Sequence, residues 1–496
     1  MIPGPAVRPA ATPTDLPATI PAPRAARTAP RTAPATAGRD PFIDVLRVFG
    51  MVLVVLQHWS IPLLSFADGR ISTGNALAAG NAWMITWISQ VMPLVFFAGG
   101  AANAISRRNA ARRGDASPAW LAGRLRRLAW PVVPLAAVWL PLPHLLLALG
   151  VPEQPVLTAS RLAGQLLWFL AIYLVAVAAT TPMLRLNMVY GWRVPAALAA
   201  GAVAVDVLRF TSGLDVAGLP NIALVWLAVH QLGFLYADGR LGRPWVLALG
   251  GYGLGAALVA FGPYPLSMIG MPGAVSNMAP PTVALLAVGV GQIGLALALR
   301  RSIVSFAGWP GVSRALGWAG DRMMTLYLWH MSALFVIVSV VVVGLGISTP
   351  EPGTPAWLSG WPHWLLMLAL AMWPLLRGFA RFEAPPTAGP YTGGAVRVLV
   401  AAALVGLGLL TLTVVGFVPG VAPVAGAGAI VVGLALTRSS RSSRDTSPGS
   451  PHPSVQGSSD PRSSDPRSSD PRPSDPRSSV PQPGERTGRL HAPSPR

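Results

Sequence analysis

Hydrophobic and polar positions fall into long blocks along this chain, with runs of Ala, Val, Leu, Phe, Met and Trp separated by shorter segments that carry Arg, Gly and Pro. A helix needs about 20 consecutive apolar residues to cross a bilayer. Stretches of that kind are predicted at 42–64, 83–105, 128–150, 162–184, 194–210, 219–237, 245–262, 281–299, 323–346, 361–380, 395–417 and 420–437, the fifth and twelfth being the shortest. The pattern predicts an all-α, polytopic membrane protein of about 10–12 transmembrane helices. Residues 1–41 read as a disordered basic arm, rich in Pro, Ala, Thr and Arg and without the apolar core of a cleavable leader, so the first span is expected to be retained. A transmembrane domain then covers 42–380, additional helices cover 381–437, and 438–496 is a Ser/Pro/Arg/Asp-rich tail. The tail repeats SSDPR at Ser458–Arg462, Ser463–Arg467 and Ser468–Arg472, then PSDPR at Pro473–Arg477; with no apolar residue in the repeat it cannot bury a core.

Composition agrees with this reading. Of the 496 residues 52% are hydrophobic and 11% charged, with a mean hydropathy of +0.52; soluble domains carry about 25% charged residues. The net charge of +19 comes from 37 basic residues, all Arg, and does not point to nucleic acid, because most of them sit between apolar segments or in the tails. The absence of Cys excludes disulfides, thiolate nucleophiles and sulfur-ligated metals. Loops after even-numbered spans hold Arg107, Arg108, Arg112, Arg113, Arg124, Arg126 and Arg127; Arg185 and Arg193; Arg240 and Arg243; Arg300, Arg301, Arg314 and Arg322; and Arg377 and Arg381. The alternate loops hold little more than Arg70 and Arg161. This asymmetry predicts a multi-pass protein of the cell membrane with both termini cytoplasmic.

Ionisable residues inside a span are costly and mark functional sites by default. The first span carries Arg47 and His58, 11 positions apart. At about 100° per residue the two side chains leave nearly the same helix face, about 16 Å apart along the axis, and Asp44 extends the stripe. Such a stripe can line a shaft, but its members are too far apart for a direct Arg–His contact. The alternative is an Arg snorkelling to the headgroups and a His bonded to a neighbouring helix.

Several strings, in order, resemble the type 3 integral-membrane acyltransferases, which O-acylate surface glycans and secondary metabolites. They are Asp44, Leu46, Arg47 and His58 in the first span; MPLVFFAGGAAN at Met92–Asn103; LAGRLRRLAWP with Arg124, Arg127 and Pro131; LWFLAIYL at Leu167–Leu174; and TLYLWH at Thr325–His330. Members often carry a His before the Trp-Phe-Leu string, where this chain has Gln165-Leu166-Leu167. The resemblance implies transfer of an acyl group from a cytoplasmic donor, acyl-CoA, to a hydroxyl of a glycan, lipid or secreted small molecule, with no tightly bound cofactor. His58 is then the candidate general base, with Arg47 and Asp44 beside it in the catalytic set, since an unperturbed imidazole titrates near neutrality. Arg47, Arg124 and Arg127 would hold the CoA phosphates, although topology alone also accounts for the two latter. Tyr327 and His330, three apart and expected at the depth of Arg47, would orient the thioester or Arg47, or simply make an interhelical bond. Asn103 would contact the donor and Trp168 would line an acyl tunnel, or both would serve packing, as expected of Gly99 and Gly100.

Other ionisable residues carry less. Asp206 and Arg209 read as a local pair, and His230 as a lone structural histidine; His144 and His363 lie near span ends. No His and carboxylate spacing suits a metal. The competing class is a twelve-span transporter or an acyl or lipid flippase. GFLYADGRLGRP at Gly233–Pro244 resembles a loop of major facilitator proteins, but no second copy or internal repeat accompanies it.

Overall fold

In this computed structural model residues 40–270, 275–387, 389 and 391–438 are described; the expected arm and tail lie outside them apart from Asp40, Pro41 and Arg438. Helix α1 (Pro41–Ser60) starts where Asp40 accepts from the Phe42 amide at 3.0 Å and Pro41 occupies the first turn. It stops four residues short of the expected 64. Pro62 opens a hairpin, β1 (Pro62–Ala67) antiparallel to β2 (Arg70–Asn75), with Ala67 opposite Arg70. The turn is Asp68-Gly69, both at positive φ (50° and 72°), the conformation an Asp-Gly hairpin favours. Both edges are covered: Leu64 pairs with Thr349 (N···Oγ1 2.6 Å, O···N 2.9 Å), and Gln154 bonds the backbone of Ile71 at 2.9 and 3.1 Å.

Helices form nearly everything else. A short α2 (Thr86–Ser89) precedes α3 (Met92–Arg112), and the arginine-rich α4 (Ser117–Ala129) runs on through α5 (Val132–Trp139) and α6 (Leu142–Ala148). Then come α7 (Glu153–Gln165), α8 (Leu167–Tyr190), α9 (Arg193–Ser212), α10 (Asn221–Ala237) and α11 (Pro244–Phe261). Helix α12 (Val283–Ala298) bends by 61° into α13 (Arg300–Ala307), and α14 (Pro310–Gly320) follows. The last are α15 (Met323–Val338), α16 (Pro355–Phe379), α17 (Ala395–Val415) and the short α18 (Val421–Leu436). Among the described residues ten helical stretches are long and apolar enough to cross a membrane, or eleven if the bent pair counts as one. The chain is therefore an all-α, multi-pass membrane protein with one small hairpin.

One feature differs from expectation in a way that matters for the site. Arg124 and Arg127 lie on helix α4, not in a loop, because Pro131 interrupts the helix only after Ala129. Helices α3 and α10 touch backbone to backbone: a Cβ on Gly100 would collide with the His230 carbonyl oxygen, and one on Gly99 with the Tyr173 ring. The small residues of MPLVFFAGGAAN therefore set the helix approach, as expected of them. At the start of α15 the Glu383 carboxylate accepts from the Met324 and Thr325 amides (2.8 and 2.9 Å) and from the Thr325 hydroxyl (2.6 Å), holding that end of the helix.

Candidate functional site

The C-terminal half of α1 is fixed by its neighbours' side chains. Gln57 donates to the Ser89 carbonyl at 2.7 Å, Trp364 to the Trp59 carbonyl at 2.8 Å and Trp361 to the Ser60 hydroxyl at 3.1 Å. Trp59 in turn donates to the His330 carbonyl at 2.9 Å, tying α1 to α15. That tie places two imidazoles together: His58 Nδ1 and His330 Nε2 are 3.3 Å apart, with ring centroids 5.1 Å apart at 47°.

Hydrogen-bond logic assigns the protons. His330 Nδ1 is 2.7 Å from the Tyr327 carbonyl, which only accepts, so Nδ1 carries the proton and Nε2 is a lone pair. His58 Nδ1 is 2.9 Å from the Val54 carbonyl and therefore also carries its proton, with His330 Nε2 as a second acceptor. His58 Nε2 makes no hydrogen bond to the described residues and is left as a lone pair. His330 is fully buried, while His58 borders two cavities of about 280 and 510 Å³.

The smaller cavity is lined by Met51, Gln90, Trp168, Phe169 and Tyr327, the larger by Ile71, Thr73, Thr158, Gln165, Met331 and Phe335. Both include His58, Ile61, Pro62, Asn75 and Gly270, so they meet at the histidine under the hairpin. Among the described residues no charged side chain lines either one. Gln165, two residues before the Leu-Trp-Phe-Leu string, lines the larger cavity.

Arg47 belongs to a different region, three turns back along α1. Its side chain is 41% exposed and lies 3.9 Å from Asp44. It borders a polar cavity of about 460 Å³ together with Asp40, Asp44, Asn109, Arg113 and Arg127. Arg124 stands behind this wall, within Coulombic reach of Arg47 and Arg127. One of its Nη atoms donates to Asn103 Oδ1, and its buried Nε has no partner among the described residues. With Oδ1 thus committed, the Asn103 amide nitrogen must donate to the Tyr173 hydroxyl (3.3 Å) and to His230 Nε2 (3.1 Å).

Several expectations need correction. Tyr327 and His330 are not at the depth of Arg47. Met323, at the start of α15, holds that level (Arg47 Nη2 to Sδ 3.9 Å), and His330 is two turns further along, at His58. Tyr327 donates to the Leu166 carbonyl and packs edge-on to Phe169 at 5.5 Å, so it fastens α15 to the start of α8. Asn103 is fully buried and borders neither cavity group; it holds Arg124. His230 is not alone, because it closes that amide's hydrogen bonds. Arg209 pairs with Asp215 at 2.9 Å, leaving Asp206 to accept from Asn221 (2.7 Å), Tyr264 (3.1 Å) and the Val283 amide (2.8 Å). Nothing in the sequence marks these partners, which come from helices far apart in the chain.

The two polar regions share no lining residue. Among the described residues no three His, Asp or Glu side chains gather as metal ligands would.

A family model described as an acyltransferase domain matches residues 40–376, a span that contains both polar regions and ends within α16. No curated protein and no solved structure matches the chain.

Proposed function

The chain belongs to the type 3 acyltransferase family, and from that premise we propose that it carries an acyl group from acyl-CoA to an uncharged hydroxylated acceptor held at His58. It is a membrane-embedded acyltransferase; the competing transporter and flippase readings find no support in the family match. The observation that carries the finer reading is the histidine pair, which leaves a lone pair on Nε2 of His58, a residue bordering two cavities with no charged lining among the described residues.

The arginine-rich ends of the helices face the cytoplasm, with both termini, and the hairpin faces outward. Acyl-CoA enters from the arginine side. Arg47 and Arg127 meet its phosphates, and Arg124 adds charge from behind. The pantetheine arm follows α1 past Met51 and Met323. The thioester then lies beside Trp168, Phe169 and Tyr327 in the smaller cavity. The acceptor occupies the larger one. Because no charged residue lines it among those described, a neutral glycan, lipid or exported small molecule of the cell envelope fits better than a phosphorylated or carboxylated one. No tightly bound cofactor is needed.

In the reaction His58 Nε2 takes the proton of the acceptor hydroxyl as its oxygen attacks the thioester carbon. The new C–O bond forms, the C–S bond breaks, and the proton passes from His58 to the departing CoA thiolate. The imidazolium formed in between keeps its Nδ1–H on the Val54 carbonyl and His330 Nε2, so the pair is arranged for the charged state. The test is release of CoA thiol by purified protein given acyl-CoA with and without a neutral polyol or glycoside. A positioned base contributes about 10²- to 10⁴-fold, so His58→Ala should reduce acceptor-dependent release by that factor with unchanged expression and elution. Near-normal transfer by His58→Ala would remove the chemical centre of this reading.

A further inference from the structure

The three arginines of RLRR on α4 do not share a face. Arg126 departs from Arg124 by about 200° around the helix, and it turns toward α18, away from the Arg47 region. There it borders a cleft of about 120 Å³ with Trp130, Val133, Pro385, Pro386, Val431, Leu434, Ala435 and Arg438. Among the described residues the buried Nε of Arg126 has no hydrogen-bond partner, and no acidic side chain lines the cleft. Pro385 and Pro386 have no N–H to offer, so the two guanidinium groups and the Trp130 indole are its main side-chain donors.

The two walls are graded in the same way. On one, Arg126 is followed by Trp130 and then Val133, seven positions deeper into the bundle. On the other, Arg438 is followed by Leu434 and then Val431, also seven positions deeper. Each wall therefore passes from cation to hydrocarbon over about 10 Å. Val431 is 51% exposed on the outer side of α18, so the apolar end opens toward the bilayer. Arg397 donates to the Arg438 carbonyl at 3.0 Å and helps fix the end of α18 at the rim. Helices α17 and α18 lie beyond the 40–376 match, so the second wall is built by the part of the chain outside the matched domain.

We propose that this cleft binds one anionic phospholipid, its phosphate between Arg126 and Arg438 and an acyl chain along Trp130, Val133, Leu434 and Val431. A cationic end at headgroup level above an apolar trough is the shape of an amphiphile, and a soluble phosphate would leave the trough unfilled. The site does not depend on the acyl-transfer reading, because its readout is lipid binding.

The experiment is native mass spectrometry of the full-length protein with added phosphatidylglycerol or phosphatidylcholine, with inorganic phosphate as competitor. Phosphatidylglycerol should be retained over phosphatidylcholine and resist displacement by phosphate. The double variant Arg126→Gln with Arg438→Gln should weaken its retention about 10- to 30-fold. Arg126→Lys with Arg438→Lys should keep most of it, and Arg314→Gln with Arg322→Gln, on the same side but away from the cleft, should keep all of it. Melting in phosphatidylcholine alone controls for folding. The proposal fails if both lipids bind equally, if the Gln pair binds like the parent, or if phosphate displaces the lipid. It also fails if removing residues 445–496 raises phosphatidylglycerol binding several-fold, since the chain's own tail would then be the occupant.

Discussion

The two polar regions along α1 are built on opposite electrostatic terms. Around Arg47 the side chains are charged and partly open to solvent: three arginines and three aspartates border one cavity, and Arg124 stands behind them. Around His58 there is no charge, only two imidazoles whose hydrogen bonds fix where each proton sits. The first arrangement suits holding a polyanion, for which several weakly specified cations suffice. The second suits moving one proton, for which one lone pair must be aimed and its partner nitrogen occupied. Three helical turns of α1 separate the two regions, and their cavities share no lining residue.

The contrast can be broken most sharply at His330. A hydrogen bond to a charged group is worth about 1.5–3 kcal/mol, so His330→Ala should lower kcat about 10- to 150-fold while the KM for acyl-CoA stays within about twofold. His330→Gln, whose amide oxygen can still accept from His58 Nδ1, should recover part of kcat. A merely structural role would show the same loss in both variants, together with reduced thermal stability.

A smaller effect, on the other axis, belongs to the arginine region. Asn103→Leu removes the amide that holds Arg124, and Arg124→Lys loses the planar fork. Each should raise the KM for acyl-CoA about 2- to 10-fold with kcat nearly preserved. His230→Leu should act in the same direction more weakly, through the Asn103 amide. Loss of kcat alone in these variants would show that the two regions are not divided as described.

The third test leaves activity unchanged and asks only which side is which. Ser72 on the hairpin and Ser313 on α14 are both exposed. In this cysteine-free chain Ser72→Cys should react with an impermeant maleimide in intact cells, and Ser313→Cys only after permeabilisation. The reverse result would invert the orientation and the direction from which the donor arrives.

Much of this was legible beforehand. Span positions follow from hydropathy because a bilayer admits little except helices, and the helix-face relation of Arg47 and His58 follows from periodicity. The hairpin was missed although Asp68-Gly69 between two short alternating strings is a recognised turn signal, because the apolar start of β1 continued the α1 run without a break. The motif strings singled out His330, Asn103, Arg124 and Tyr327, but not the pairs they form.

The sequence by itself determined what is local or periodic: which segments are helical and membrane-spanning, which ends of them are basic, and which face of α1 carries costly polar groups. Tertiary structure alone decided that His330 meets His58 rather than Arg47, that Asn103 serves Arg124 through Tyr173 and His230, and that Arg126 meets the end of α18. Each of those facts depends on the relative depth and rotation of helices up to 272 residues apart. Those are set by packing, by Gly99 and Gly100 against α8 and α10 and by Trp59 and Trp364 against their carbonyl partners. A linear pattern fixes the phase of a side chain around its own helix, but it carries no information about the height at which that helix meets the next.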